Sequence, residues 1–239
     1  VQVDGDPFCS CRMLAVLARH VREQLDGAAA GTDHQLVLAR ILAGVLQADG
    51  HALLSDIVCG RSPWAGLEVD RDLRWRALLR LASTGGDIDG LLHVAMEADP
   101  GDSGRRNALM VEAARPTRAA KEEAWTRLFS DGFSLAERKA IMAGLRQPAQ
   151  EALLTPYTDR YLRALQSMAG TAAPEFVLAF ARALYPHFTN DEQSVLAGTD
   201  DLLDTKLLSA NVLKAVREER TELLIMQAAR ACDAAHRTG

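Results

Sequence analysis

The chain has 239 residues, 48% hydrophobic and 25% charged, with a mean hydropathy of -0.06. This balance excludes disorder as the main state, and the lack of any run of 18 or more apolar residues excludes a transmembrane span. A formal net charge of -5, with arginines scattered along the chain, leaves a nucleic-acid partner without its electrostatic footprint. At roughly 150 residues per domain the length fits one large domain or two small ones, and we expect a single domain over residues 1–239. The opening residues Val1–Asp6 hold neither a basic nor an apolar targeting region and do not begin with Met. The chain is therefore expected to be processed or cut from something longer.

In chain order, punctuation by Pro and Gly opens segments near Pro7, Asp33, His51, Asp70, Asp87, Asp102, Thr117, Ser134, Ala149, Pro174, Asn190 and Thr205. Pro7 to Thr205 spans 198 residues in eleven intervals, so a helix with its turn takes about 18 residues and a pair about 36. That spacing matches stacked antiparallel helix pairs of the armadillo or HEAT kind, a right-handed solenoid. In the first segment Leu14, Leu17, Val21 and Leu25 form an apolar stripe opposite Arg12, Arg19, Arg22 and Glu23. Gly66–Asp70 alternates like a strand but has nothing to pair with, so the expected class is all-α. Ala120, Ala124 and Leu128 form a second stripe, with Lys121, Glu122, Glu123 and Arg127 expected outward. Leu154, Tyr157, Tyr161, Leu165 and Met168 form a third, split at Pro156, where a first helical turn tolerates a missing N–H. Asp33, Asp87, Ser134 and Asn190 are candidate N-caps. The charged run Arg217–Arg220 in the last segment reads as a solvated face.

Local chemistry is sparse. None of the six histidines is followed by Glu, so the zinc-peptidase string H-E-x-x-H is absent. Cys9 and His20, eleven residues apart on one helix, would stand about 16 Å apart and cannot share a metal. His93 and Glu97 sit at i, i+4 without a third ligand nearby, the pattern of a surface pair. Gly101-Asp102-Ser103-Gly104 looks like a serine-protease nucleophile loop but precedes a helical start, where Asp102 or Ser103 would serve as a cap. Val94–Ala98 echoes the amine-holding string of aminopeptidases without its Gly and Asn. Cys9, Cys11, Cys59 and Cys232 fit neither a disulfide framework nor a zinc ribbon and read as buried free thiols in a reducing cytosol.

Several segments taken together carry a resemblance. Asp72-Leu73-Arg74-Trp75-Arg76-Ala77-Leu78-Leu79-Arg80-Leu81-Ala82 is followed by Asp99–Arg106, then Ala114-Arg115-Pro116-Thr117 with Ala120-Lys121 and Ala124-Trp125. After these come Gln147-Pro148-Ala149-Gln150-Glu151-Ala152-Leu153-Leu154-Thr155-Pro156-Tyr157 and Leu184-Tyr185-Pro186. In order and spacing, from about Asp33 to Arg237, the series resembles the helical C-terminal domain of the aminopeptidase N family, zinc aminopeptidases of the gluzincin type, in its actinobacterial form. It departs from that pattern before Asp33 and at 168–174.

The resemblance implies a module without catalytic or metal-binding residues of its own. It would close a peptide chamber over an upstream catalytic domain that carries the zinc, in a cytoplasmic enzyme. The implied partners are that domain and a peptide substrate, with no nucleic acid and no membrane. The alternative is a freestanding helical-repeat scaffold holding a protein or peptide in its groove; an independent enzyme using new residues is a third reading. Arg146 and Gln147, at a turn before Pro148, are candidates for holding a peptide's C-terminal carboxylate, against a solvated arginine at a helix end. Trp64, on the Arg61–Leu67 connection, is either an interface anchor for the upstream domain or folded back on its own helices.

Overall fold

The computed structural model describes residues 7–205 and 207–237. Among them every regular element is a helix, and Gly66–Asp70 forms no strand. The contacts divide the chain into two compact units, one ending at Leu145 and one beginning at Arg146.

The first unit holds α1 (Pro7–Asp26), α2 (Asp33–Val45), α3 (His51–Val58), α4 (Arg71–Ser83), α5 (Asp89–Ala98), α6 (Asp102–Ala114), α7 (Arg118–Phe129) and α8 (Leu135–Leu145). Helix α4 packs on α2 and α6, and α6 packs on α8; α1 lies against α2, α3 against α4, and α7 against both α6 and α8. The core of this unit draws on the inward faces of α2, α4 and α6. Leu42 on α2, Leu73, Leu78 and Leu81 on α4, and Val111 on α6 are at most 1% exposed, each contributing about 1.5–3 kcal/mol. On α1, Val21 and Leu25 are buried as the stripe predicts, whereas Leu17 is 44% exposed. Helices α6 and α8 cross closely: a Cβ on Gly144 would stand 2.0 Å from the Met110 carbonyl oxygen, so a side chain there would force the pair apart.

Of the four expected N-caps Ser134 holds its position, and two further caps stand at the segment openings Asp70 and Thr117. Asp70 and Thr117 accept from the backbone N–H three residues on, and Ser134 and Glu137 form a reciprocal capping box at α8. Elsewhere the cap falls one residue away. Thr32 caps α2, with Asp33 already inside the first turn, and Asp191 rather than Asn190 caps the helix Glu192–Asp204. Asp87 accepts from Asp89 N–H beside the start of α5 without occupying the cap. Asp102 and Ser103 lie inside the first turn of α6 behind Gly101, so neither is the cap.

Several helix C-termini are closed by side chains from neighbouring helices. Arg80 donates to the carbonyls of Val45 and Leu46 at the end of α2, and Arg74 donates to Val58 at the end of α3 (2.7 Å). Arg138 donates to Ser130 beyond α7. Lys121, expected on the outer face, is fully buried: its Nζ donates to Ala113 at the end of α6 (2.8 Å) and Leu145 at the end of α8 (3.4 Å). An ammonium is a fitting partner for two converging C-termini, each carrying unpaired carbonyls and partial negative charge.

The second unit holds α9 (Glu151–Leu154), α10 (Thr158–Met168), α11 (Pro174–Ala183), α12 (Glu192–Asp204) and α13 (Ala210–Arg237). Helix α13 packs on α11 and α12, and α10 on α11 and α12. The break before α10 falls at Pro156 as expected, inside a short 3-10 turn. Tyr161, 1% exposed, stacks on Phe180 and donates its hydroxyl to the Ala181 carbonyl (2.8 Å). The charged run on α13 is not a uniformly solvated face. Glu218 and Arg220 pair with Arg182 on α11 and Asp200 on α12, while the Glu219 side chain is 16% exposed. Cys59 is a half-buried free thiol and Cys232 is exposed, contrary to the expected burial; Val1–Asp6 and the side chains of Cys9 and Cys11 lie outside the described residues.

Burial lowers the Lys121 pKa from its ordinary value to about 8. The unfolded chain keeps that proton up to about pH 10.4, so between these values the unfolded state binds more protons and stability rises with pH. Denaturant titrations at pH 7.5 and 9.5 should show a gain on the order of 1–3 kcal/mol in the native chain, absent in Lys121→Met.

Candidate functional site

Arg146 follows α8 directly, and Gln147 stands before the 3-10 turn Pro148–Gln150, its carbonyl accepting from Gln150 N–H (3.0 Å). Both side chains are half-buried. Arg146 is held within the second unit. Its Nη2 donates to Nδ1 of His187 (3.1 Å), and its guanidinium lies 5.2 Å from the Phe188 ring centroid. Its Nε is sealed from solvent without a hydrogen-bond partner.

His187 is 2% exposed, with its ring 4.9 Å from that of Tyr185. Nε2 lies 3.1 Å from the Glu219 backbone carbonyl and 3.5 Å from its carboxylate. Burial, seconded by the charge of Arg146, pushes the His187 pKa below its ordinary value, while burial pushes that of Glu219 up. The result is a cation, a neutral imidazole and a carboxylate in series, a small polar cluster inside an aromatic surround. Beyond Arg146 itself no local pattern marks this cluster, because the three residues are 41 and 32 positions apart.

Trp64 is half-buried and packs against the core of the first unit. Its backbone N–H donates to Ser62 Oγ, and its indole N–H donates to Asp26 at the end of α1 (2.7 Å). The loop around it is fastened at two more places. Buried Gln35 accepts from Gly31 N–H and donates to the Ala65 carbonyl, and Gly66, with φ +75°, approaches Gly31 so closely that a Cβ would stand 2.7 Å from its nitrogen.

The described residues gather no zinc site. His93 and Glu97 make an exposed pair at 3.2 Å, and among the described residues no three His, Cys, Asp or Glu side chains gather where a metal could bind. Among them, too, no helix is long and apolar enough to cross a membrane.

Residues 12–223 match the sequence model of the ERAP1-like C-terminal domain. The chain belongs to that family. It is also 36% identical over 213 residues, 88% of its length, to a protein of Streptomyces lividans named Aminopeptidase N. It spans a quarter of the length of that curated relative. The family match takes in Trp64, Arg146, Gln147, His187 and Glu219 alike.

Trp64→Ala in the 239-residue chain should cost about 1–3 kcal/mol by removing indole packing and its bond to Asp26, measured by thermal or denaturant unfolding. Trp64→Phe should recover most of the packing and none of the hydrogen bond.

Proposed function

We propose that this chain acts as the C-terminal helical module of a zinc aminopeptidase N-type enzyme, closing a peptide chamber over a catalytic domain in the same polypeptide. The observation that carries the reading is the family match over residues 12–223 together with the quarter-length alignment to a protein named Aminopeptidase N. An embedded module gives that coverage directly; a freestanding scaffold does not call for it. The row formed by α2, α4, α6 and α8 supports a curved stack of helix pairs, and such a solenoid offers a concave wall for a peptide. In this reading residues 1–239 work as one domain, the zinc resides in the catalytic domain, and the enzyme is cytoplasmic.

Within the module, Arg146 and Gln147 take the far end of the peptide. A guanidinium held on one edge by His187 is oriented rather than free to wander, and it pairs with a carboxylate through its remaining N–H groups. Trp64, with its loop pinned at several points, gives a rigid aromatic edge to the interdomain contact.

The test compares the full-length enzyme with a version truncated before this module, across peptides of increasing length. The full-length enzyme should favour a limited range of lengths, and truncation should flatten that preference or abolish activity. Identical kcat/KM series for the two would overturn the reading. In the full-length enzyme, Arg146→Ala should lower kcat/KM by about tenfold for peptides with a free C-terminal carboxylate and leave amidated peptides nearly unchanged.

A further inference from the structure

We propose that His187 is the positioning residue of Arg146, holding the guanidinium through its neutral imidazole and releasing it on protonation, so that peptide capture at Arg146 is switched off in acid. The inference rests on the reading of Arg146 as a peptide-holding group and adds its regulation. It follows from hydrogen-bond valence. Arginine has donors and no acceptor, so the 3.1 Å contact requires Nδ1 of His187 to accept, which places the single imidazole proton on Nε2. Nε2–H then donates to the Glu219 carbonyl, and both ring nitrogens are committed. A second proton would have to go on Nδ1, where it would face the N–H of Arg146 donor to donor and break the link.

The charged and titratable groups around the ring decide how readily that proton arrives. Arg146 opposes it from one side. From α13, the Glu219 backbone carbonyl and the Glu222 carboxylate favour it, as does the Tyr185 backbone carbonyl; the Glu219 carboxylate, 3.5 Å from Nε2, is itself shared with Arg182 of α11 at 3.8 Å. The Tyr185 and Phe188 rings flank the imidazole and keep water from it. Burial is the largest influence, and the balance lies toward the neutral form at pH 7. Once released, Arg146 keeps the face of Phe188 and loses its oriented hydrogen bond.

Long-range proton–nitrogen NMR on the 239-residue chain reads the link directly. At pH 7.5 His187 should show the Nε2–H form, and backbone protection at 147–150, corrected for intrinsic exchange, should fall as pH drops through the titration of that ring. His187→Gln, whose amide both accepts and donates without titrating, should keep its protection into acid, and His187→Phe should lack it throughout. An Nδ1–H form, or an acid loss in His187→Gln equal to that of the native chain, would overturn the proposal. Binding of a fluorescent nonapeptide with a free C-terminus is measured on the same variants. His187→Phe should bind about tenfold more weakly at pH 7.5, and His187→Gln about as well as native and equally at pH 5.5. If the NMR signature holds while Arg146→Ala leaves nonapeptide affinity unchanged, Arg146 is not a peptide-holding group and the reading beneath the proposal is the part that fails.

Discussion

The ends of the helices set the constraint on which this structure depends. Each α-helix leaves its last carbonyls without partners, and in a chain of short, closely packed helices many of those ends lie away from water, where an unpaired carbonyl costs about 1–3 kcal/mol. Here the closing donor is supplied from an adjacent helix: Arg80 at α2, Arg74 at α3, Lys121 at α6 and α8, Arg138 beyond α7, Tyr161 near the end of α11. The same contact therefore finishes one helix and fixes its neighbour's position, a coupling that burial of leucines alone, being non-directional, would not provide.

That arrangement explains which parts of the fold were legible. Helix positions follow from a period of three to four with Pro and capping residues at the boundaries, and both are local. Pro156 and Ser134 are readable for that reason. Lys121 was not, since its neighbours Glu122 and Glu123 belong to an ordinary charged face, and what buries it is two carbonyls, 8 and 24 residues away, that no local pattern announces. Asp33 and Asn190 were misplaced by one residue because the adjoining Thr32 and Asp191 are equally competent caps and the backbone decides between them.

The candidate site divides along the same line. Arg146 stood out because it precedes Gln147-Pro148 at a turn, and Trp64 because it interrupts a long connection. Their surroundings did not. His187 had nothing in its own segment to mark it as the partner of Arg146, and Glu219 sat in a run whose charges suggested solvent. Long-range polar pairing is where single-sequence reasoning loses its grip, because a charge carries no sign of whether it faces water or another charge.

The burial of Lys121 also gives the protein a chemical clock. The chain has four lysines, Lys121, Lys139, Lys206 and Lys214, so few amines compete for an acylating reagent. A fully covered amine reacts only in the fraction of molecules in which α7 has moved off the ends of α6 and α8. The slow labelling of Lys121, read by mass spectrometry, therefore measures how often the first unit opens, without a probe having to be introduced.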